Sequence, residues 1–227
     1  MAHTPFSVVL VEACCDSVST ARAAVSFGAN RIELCGPGDG GTTPSHGLMA
    51  SCRAAVAAPI HAMIRPHTRD FIYDAEDVGV MLRDIDVARS LGMDGVVFGP
   101  LSVDNTVDRH VLQALVSRAH AGDRRLRVAF HRAFDRTPDA IAALDAILEA
   151  GVDLILTAGH QRTALEGAAE LQQLQRHAGD RLVILAGGTV RGSNVRGIVQ
   201  NGGVHEVHVR GTDPSFIRDT VTALRHS

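Results

Sequence analysis

Residues 149–157, EAGVDLILT, show the pattern that decides the fold of this chain. A glycine that can end a helix is followed by a short connection, and then by an apolar run typical of a strand buried on both faces. The same order of helix end, loop and strand returns in SFGANRIEL (26–34), SLGMDGVVF (90–98) and QNGGVHEVH (200–208). This repeated connection predicts α/β units with parallel strands.

Short apolar or β-branched runs alternate with stretches of helical period along the whole chain. Eight such units, at a spacing of about 23 to 34 residues, fit a closed (β/α)8 TIM barrel better than an open doubly wound sheet, which usually has about five or six strands. We therefore expect one TIM-barrel domain spanning residues 1–227. The predicted strands are 8–13, 31–35, 60–65, 94–99, 126–132, 153–157, 182–186 and 206–210.

Composition excludes several classes of function. The formal net charge is -3 and aromatic residues make up 4% of the chain, so the sequence has neither the basic surface nor the stacking groups of a nucleic-acid-binding protein. No window has the roughly 18 uncharged apolar residues that a membrane helix needs. The first residues carry no basic segment before their short apolar run, so we expect a cytoplasmic protein.

Two predicted strands end in the same Glu-x-Cys pattern, Glu12-Ala13-Cys14 and Glu33-Leu34-Cys35. Active sites of TIM barrels lie at the carboxyl ends of the strands. Because side chains alternate between the two faces of a strand, the glutamate and the cysteine of each pattern point the same way. The sequence therefore predicts a carboxylate pair inside the barrel and a thiol pair one step nearer its mouth.

Other polar residues follow the predicted strands and admit two interpretations. Glu12 and Glu33 could form structural ion pairs with Arg65 or Arg132, or the cluster could bind a ligand. Near the start of strand 3, His61 has the position of a core histidine. Two further residues in a Gly-rich stretch, Gly187 and Gly188, predict either an anion site for phosphate or carboxylate or an ordinary tight turn.

Several short motifs follow one another along the chain: VEACCDS, ANRIELCG, DGGTTPS, MIRP, GVVFG, FHRAFD, LTAG and EVHV. In this order, from about Val8 to Arg210, they resemble the CutC family, which is named for copper homeostasis. The resemblance implies a (β/α)8 barrel, a cytoplasmic location, homo-oligomers and a role in copper binding, with Cys14 and Cys35 as the copper-binding cysteines. The chain departs from the usual family pattern at His67–Arg69 and at Val209–Gly211.

Two functions remain open at this point. The first is copper homeostasis: thiolates select Cu(I), and Cys14 and Cys35 could bind it with His131 or His208 as a further ligand. The alternative is a barrel enzyme, a lyase, isomerase or hydrolase, that acts on a small anionic or sugar-like metabolite. Its candidate catalytic residues, with the glutamates as general acid or base, the two arginines as anion ligands and the histidine as proton shuttle, are Glu12, Glu33, Arg65, His131, Arg132 and Asp135.

Overall fold

Eight parallel strands close into a barrel in the order in which they occur along the chain, as the computed structural model shows for residues 9–38 and 41–225. The predicted (β/α)8 fold class is confirmed. The strands are β1 Leu10–Cys15, β2 Arg31–Leu34, β3 Ile60–Met63, β4 Gly95–Phe98, β5 Arg127–Phe130, β6 Leu154–Thr157, β7 Val183–Ala186 and β8 Glu206–Arg210.

One helix follows each strand and covers the outside of the barrel. A short 3₁₀ helix, Arg132–Arg136, lies between β5 and its helix. No helix among residues 9–38 and 41–225 is both long and apolar enough to cross a membrane. The helices are α1 Val18–Ser26, α2 His46–Ala55, α3 Ala75–Ser90, α4 Arg109–His120, α5 Ala140–Glu149, α6 Ala168–Ala178, α7 Val195–Gly202 and α8 Pro214–Arg225.

Strand ends differ from the predicted ones in ways that matter for the site. The first strand runs on through Cys15, and its predicted start at Val8 lies outside the described residues. Strand β3 ends at Met63 and β5 at Phe130, each two residues before its predicted end. Arg65 and Arg132 therefore lie above the barrel wall, in the segments that surround its mouth.

The barrel interior is apolar on one side and polar on the other. The apolar residues come from β3 to β7 and include Met63, Val97, Leu154 and Leu185. Buried charged and polar side chains lie on β1, β2 and β3, at alternating positions that face inward: Glu12, Arg31, Glu33 and His61. The fold thus places titratable groups on the inner wall around β1 and β2, directly below the carboxyl end of the strands.

Candidate functional site

A cavity of about 570 Å³ opens at the carboxyl end of the barrel. This volume is in the range of sites that bind small molecules. Eight of the residues singled out in the sequence line it, whereas Glu12, His61, Asp135 and Gly187 do not. These eight are Cys14, Glu33, Cys35, Arg65, His131, Arg132, Gly188 and His208.

The thiol pair forms as predicted. Cys14 Sγ and Cys35 Sγ lie 3.8 Å apart. In the register of β1 and β2, Cys14 lies opposite Glu33, so Cys35, which directly follows β2 and is two residues beyond Glu33, comes to lie beside Cys14. With metal–sulfur bonds of about 2.3 Å, two thiolates on one ion are about 3.8 Å apart in a tetrahedral arrangement and about 4.6 Å apart in a linear one. The two sulfurs are thus at a distance that one metal ion can bridge.

A carboxylate and an imidazole complete this cluster. One ligand atom from each of Cys14, Glu33 and His208 lies within 4.8 Å of the others. Cys35 Sγ lies 3.7 Å from Glu33 Oε2, and His208 Nε2 lies 3.8 Å from the same oxygen. His131 lines the cavity but does not belong to this group. Sulfur, nitrogen and oxygen donors therefore converge at the β1, β2 and β8 ends.

Mutual contacts decide the protonation states of the cluster. The hydrogen bond from the Cys35 thiol, with a further one from His208, holds the pKa of Cys14 well below its usual range despite burial. The same sulfur–sulfur contact and burial raise the pKa of Cys35. Burial and the charge of Cys14 raise the pKa of Glu33. These contacts thus favour the thiolate form of Cys14 and the protonated forms of Cys35 and Glu33.

Glu12 lies beneath the cavity and is fully paired there. Its carboxylate accepts from Arg31 Nε, and His208 Nδ1 lies 2.8 Å from its other oxygen. Arg31 Nη2 also binds Glu206, at 2.7 Å. Burial alone would raise the pKa of Glu12, but Arg31 and His208 outweigh it and keep the carboxylate ionised. We call the group of Glu12, Arg31, His208 and Glu206 the charged floor.

The ion pairs of Glu12 and Glu33 with Arg65 or Arg132, one of the two interpretations of the sequence, do not form among the described residues. Arg132 instead binds Asp135, with 2.7 Å between Nε and Oδ2. Arg65 stacks on the ring of Phe71, with its guanidinium carbon 4.6 Å from the ring centre. The reason is the early end of β3 and β5, which places both arginines above the level of the glutamates.

Asp135 holds two loops together. It accepts hydrogen bonds from the Thr157 hydroxyl and from the backbone N–H groups of Ala158 and His160, in addition to its contact with Arg132. These donors anchor the segment after β6 to the 3₁₀ helix after β5. Its oxygens are thus already occupied, and its predicted catalytic role remains a prediction.

His131 is held in one orientation. Its Nδ1 accepts from Ala133 N–H at 3.2 Å, which makes it the cap of the 3₁₀ helix, and its ring packs 4.8 Å from that of Phe71. Gly99 provides the space for the ring, because a Cβ there would lie 2.5 Å from Nδ1. Burial, with the charge of Arg65, lowers the pKa of His131 to about 3.

The two glycines after β7 have different surroundings. Gly187 N–H donates to the Thr157 carbonyl at 2.8 Å, so this amide serves the barrel wall. Gly188 lines the cavity with a φ of +112°, and a Cβ there would lie 3.0 Å from Ala158 Cβ and 3.6 Å from Arg132 Cζ. The tight turn is thus present, and anion binding at these residues stays a prediction.

Comparison with known proteins identifies the family. The sequence matches the CutC family over residues 9–212. The chain belongs to the CutC family. A CutC protein from Bacteroides fragilis is 43% identical over 201 residues, covering 88% of this chain and 78% of the relative. The mouse copper homeostasis protein cutC homolog is 42% identical over 200 residues, covering 88% and 72%. The crystal structure of a CutC protein from Streptococcus agalactiae superimposes with a TM-score of 0.82 at 28% identity, covering 88% of this chain and 98% of that one.

The two departures from the CutC pattern lie at different distances from the cavity. His67 and Arg69 contact Asp77 on α3, at 3.1 and 3.5 Å, and neither lines the cavity. Gly211 N–H donates to the Cys14 carbonyl at 2.7 Å, and a Cβ at this position would lie 2.8 Å from that oxygen. The segment after β8 therefore fixes the backbone at Cys14.

We expect the protein to lose stability in acid, because two of its histidines are buried in the neutral form. Burial lowers the pKa of His61 to about 4 and that of His131 to about 3, whereas both titrate near 6.5 when the chain is unfolded. Below about pH 6.5 the unfolded chain therefore binds protons that the folded chain does not. Their contribution to stability is complete above that pH and falls as the pH drops towards 4 and 3.

The His131→Asn variant tests the contribution of His131 to this loss of stability in acid. Asparagine can still cap the 3₁₀ helix but cannot titrate. Between pH 7 and pH 5 we expect the variant to lose about 2 kcal/mol less of its free energy of unfolding than the wild type. Urea denaturation at the two pH values measures the difference. Equal losses in the two proteins would contradict a buried neutral His131.

Proposed function

We propose that this chain binds Cu(I) through Cys14 and Cys35 and acts in copper homeostasis in the cytoplasm. The observation that carries the proposal is the separation of 3.8 Å between the two sulfurs at the mouth of the barrel. Thiolates are soft donors, and soft donors select Cu(I) over the harder divalent ions. The printed name of the mouse relative agrees with this assignment.

His208 is the proposed third ligand. Its Nδ1 faces Glu12 at 2.8 Å and its Nε2 faces the cluster that contains Cys14 and Glu33. Histidine ligands commonly donate their second ring N–H to a carboxylate, which fixes the tautomer and orients the ring. Glu12 fits that role. Because Glu33 and Glu12 raise the pKa of His208 against the effect of burial, binding of the metal would release its proton.

Anaerobic competition titration tests the assignment. We expect one Cu(I) per chain, with two sulfurs and one nitrogen around the metal in X-ray absorption spectra. Release of protons on binding, measured in weakly buffered solution, checks the role of His208. A chain that competes no better than free thiols in solution would overturn the proposal. The homo-oligomer implied by the resemblance remains a prediction that the mass of the purified protein tests.

A second candidate function is catalysis on a small polar metabolite, and Glu33 favours it. This carboxyl is 3% exposed, lines the cavity and has no arginine partner among the described residues. A buried carboxyl whose pKa is raised well above its ordinary value, as burial and the charge of Cys14 do for Glu33, is suited to general acid catalysis. The chain contains no lysine, so a lyase that works through a Schiff base is excluded.

The Glu33→Gln variant distinguishes a ligand-binding role of Glu33 from a structural one. Glutamine has the shape of a protonated carboxyl, so we expect the free energy of unfolding to change by less than about 1 kcal/mol. If the mouth binds a metabolite through this carboxyl, compounds from a metabolite library that raise the melting temperature of the wild type should not raise that of the variant. A loss of more than about 3 kcal/mol would instead mark Glu33 as structural.

A further inference from the structure

Two hydrogen-bond donors at the β3 and β5 side of the cavity have no acceptor among the described residues: Arg65 Nε and His131 Nε2. Both residues line the cavity, and both atoms are shielded from solvent. Buried donors are nearly always paired in folded proteins, so an unpaired one indicates a missing partner. Two such donors in one cavity of this size are suited to pair with the acceptor oxygens of a ligand.

The tautomer of His131 makes it a donor towards the ligand. Because Nδ1 accepts from the Ala133 N–H, the proton of the neutral ring is on Nε2. The Nδ1 and Cε1 edge of the ring packs against Gly99, and the residue lines the cavity. The ring is 5% exposed and packed on Phe71, so it cannot turn away to find water.

Arg65 adds a positive charge next to this donor. It has no salt bridge within residues 9–38 and 41–225, and its contacts with the carbonyls of Gly41 and Asp70 are long, 3.4 and 3.5 Å. The one further polar partner of its side chain among these residues is the neutral hydroxyl of Tyr73, which does not compensate the charge. Phe71 packs against both Arg65 and His131 and thereby holds them side by side. An uncompensated guanidinium beside a fixed N–H donor is the chemistry that recognises carboxylate or phosphate oxygens.

Further arginines reinforce this charge. Arg132, Arg191 and Arg210 also line the cavity, and Arg132 uses Nε for Asp135, which leaves its outer nitrogens unpaired among the described residues. Glu33 is the carboxyl of the cavity, but it is directed towards His208 on β8 and not towards Arg65. Arg191 follows β7, and Arg210 ends β8 opposite Cys14, so positive charge also reaches the side of the thiol pair. The β3 and β5 side of the cavity carries Arg65, His131 and Arg132, and no carboxyl group of the cavity lining lies there.

We propose that Arg65, His131 and Arg132 form a binding site for the anionic group, a carboxylate or a phosphate, of a small metabolite. The site is separate from the thiol pair and does not depend on copper binding. The cavity, with a volume of about 570 Å³, has room for a ligand larger than the anionic group itself. The remainder of the ligand would extend towards Glu33 and His208.

Calorimetric titration of the metal-free protein, with a chelator present, tests the site independently of copper. The probes are inorganic phosphate and succinate, each at an ionic strength matched with sodium chloride so that general screening is the same. We expect one of the two to bind, which distinguishes phosphate from carboxylate as the preferred group. The Arg65→Gln and His131→Asn variants should each bind it at least tenfold more weakly.

Arg69→Gln is the matched control. Arg69 lies four residues from Arg65 in the same segment, its side chain is 70% exposed, and it does not line the cavity. This variant should bind the anion as the wild type does. Lack of binding of both probes to the wild type, or equal affinities of the wild type and the two cavity variants, would overturn the proposal. Equal weakening by Arg69→Gln would do the same, because it would indicate a general charge effect.

Discussion

Replacing Cys35 by serine should weaken Cu(I) binding by more than about 100-fold. Loss of a partner outside the ligand shell already costs metal sites about 10- to 100-fold in affinity, and loss of a ligand should cost more. Cys14→Ser should have an effect of the same size, because the sulfurs, 3.8 Å apart, would bind one ion together. The double variant should bind more weakly than either single variant, but by less than the product of the two single effects, because the two sulfurs act on one ion.

Cys52→Ser is the control for these titrations. Cys52 is a buried cysteine of α2 that does not line the cavity, so its replacement should leave the affinity unchanged. All three single variants are measured in anaerobic competition for Cu(I) against a chelator of known affinity. Unchanged binding in both Cys14→Ser and Cys35→Ser would remove the thiol pair from any account of copper.

The second large effect is expected for the charged floor. Arg31→Met should lower the free energy of unfolding by about 3 to 5 kcal/mol, because the Glu12 carboxylate would lose its main cation. Glu12 and Arg31 are each only 2% exposed, so water could not replace the guanidinium. Glu206, which binds the same guanidinium at 2.7 Å, would lose its partner as well. A buried carboxylate without compensation is among the few defects that cost this much.

Arg109→Met is the matched control for urea denaturation. Arg109 pairs with Glu149 on the surface, where the two side chains are 58% and 65% exposed, and such pairs are worth at most about 1 kcal/mol. A loss for Arg31→Met no larger than that of Arg109→Met would show that the floor contributes little. Circular dichroism of each folded variant verifies that the barrel still forms before the denaturation curves are compared.

The sequence predicted the barrel and the thiol pair because both follow from short-range rules. Helix ends, short loops and buried runs recur eight times, and alternation places Cys14 above Glu12 and Cys35 above Glu33 whatever the details of closure. Alternation also places Arg31 on the same face as Glu33, which was the available signal for the partner of Glu12. It was overlooked because a residue at the start of a strand lies far from the usual catalytic end.

The side-chain contacts between segments at the barrel mouth could not be predicted from the sequence alone. Whether Arg65 meets a glutamate depends on where β3 ends and on the stagger between strands, and neither is encoded in a local pattern. The role of Phe71, which packs against Arg65 and His131, depends on the path of the loop after β3. Loops are defined by contacts with distant parts of the chain, so their side chains were predicted least well.

The charged floor also bears on biosynthesis. His208 reaches Glu12 across 196 positions of the chain, and Glu206 reaches Arg31 across 175. Until β8 has left the ribosome, the nascent chain lacks two of the four members of the floor, and Glu12 and Arg31 are only partly neutralised. Closing so long a loop is slow, and unfinished barrels expose apolar edges. The barrel can therefore close only once β8 has left the ribosome, and the buried charges of β1 and β2 wait for their last partners until then.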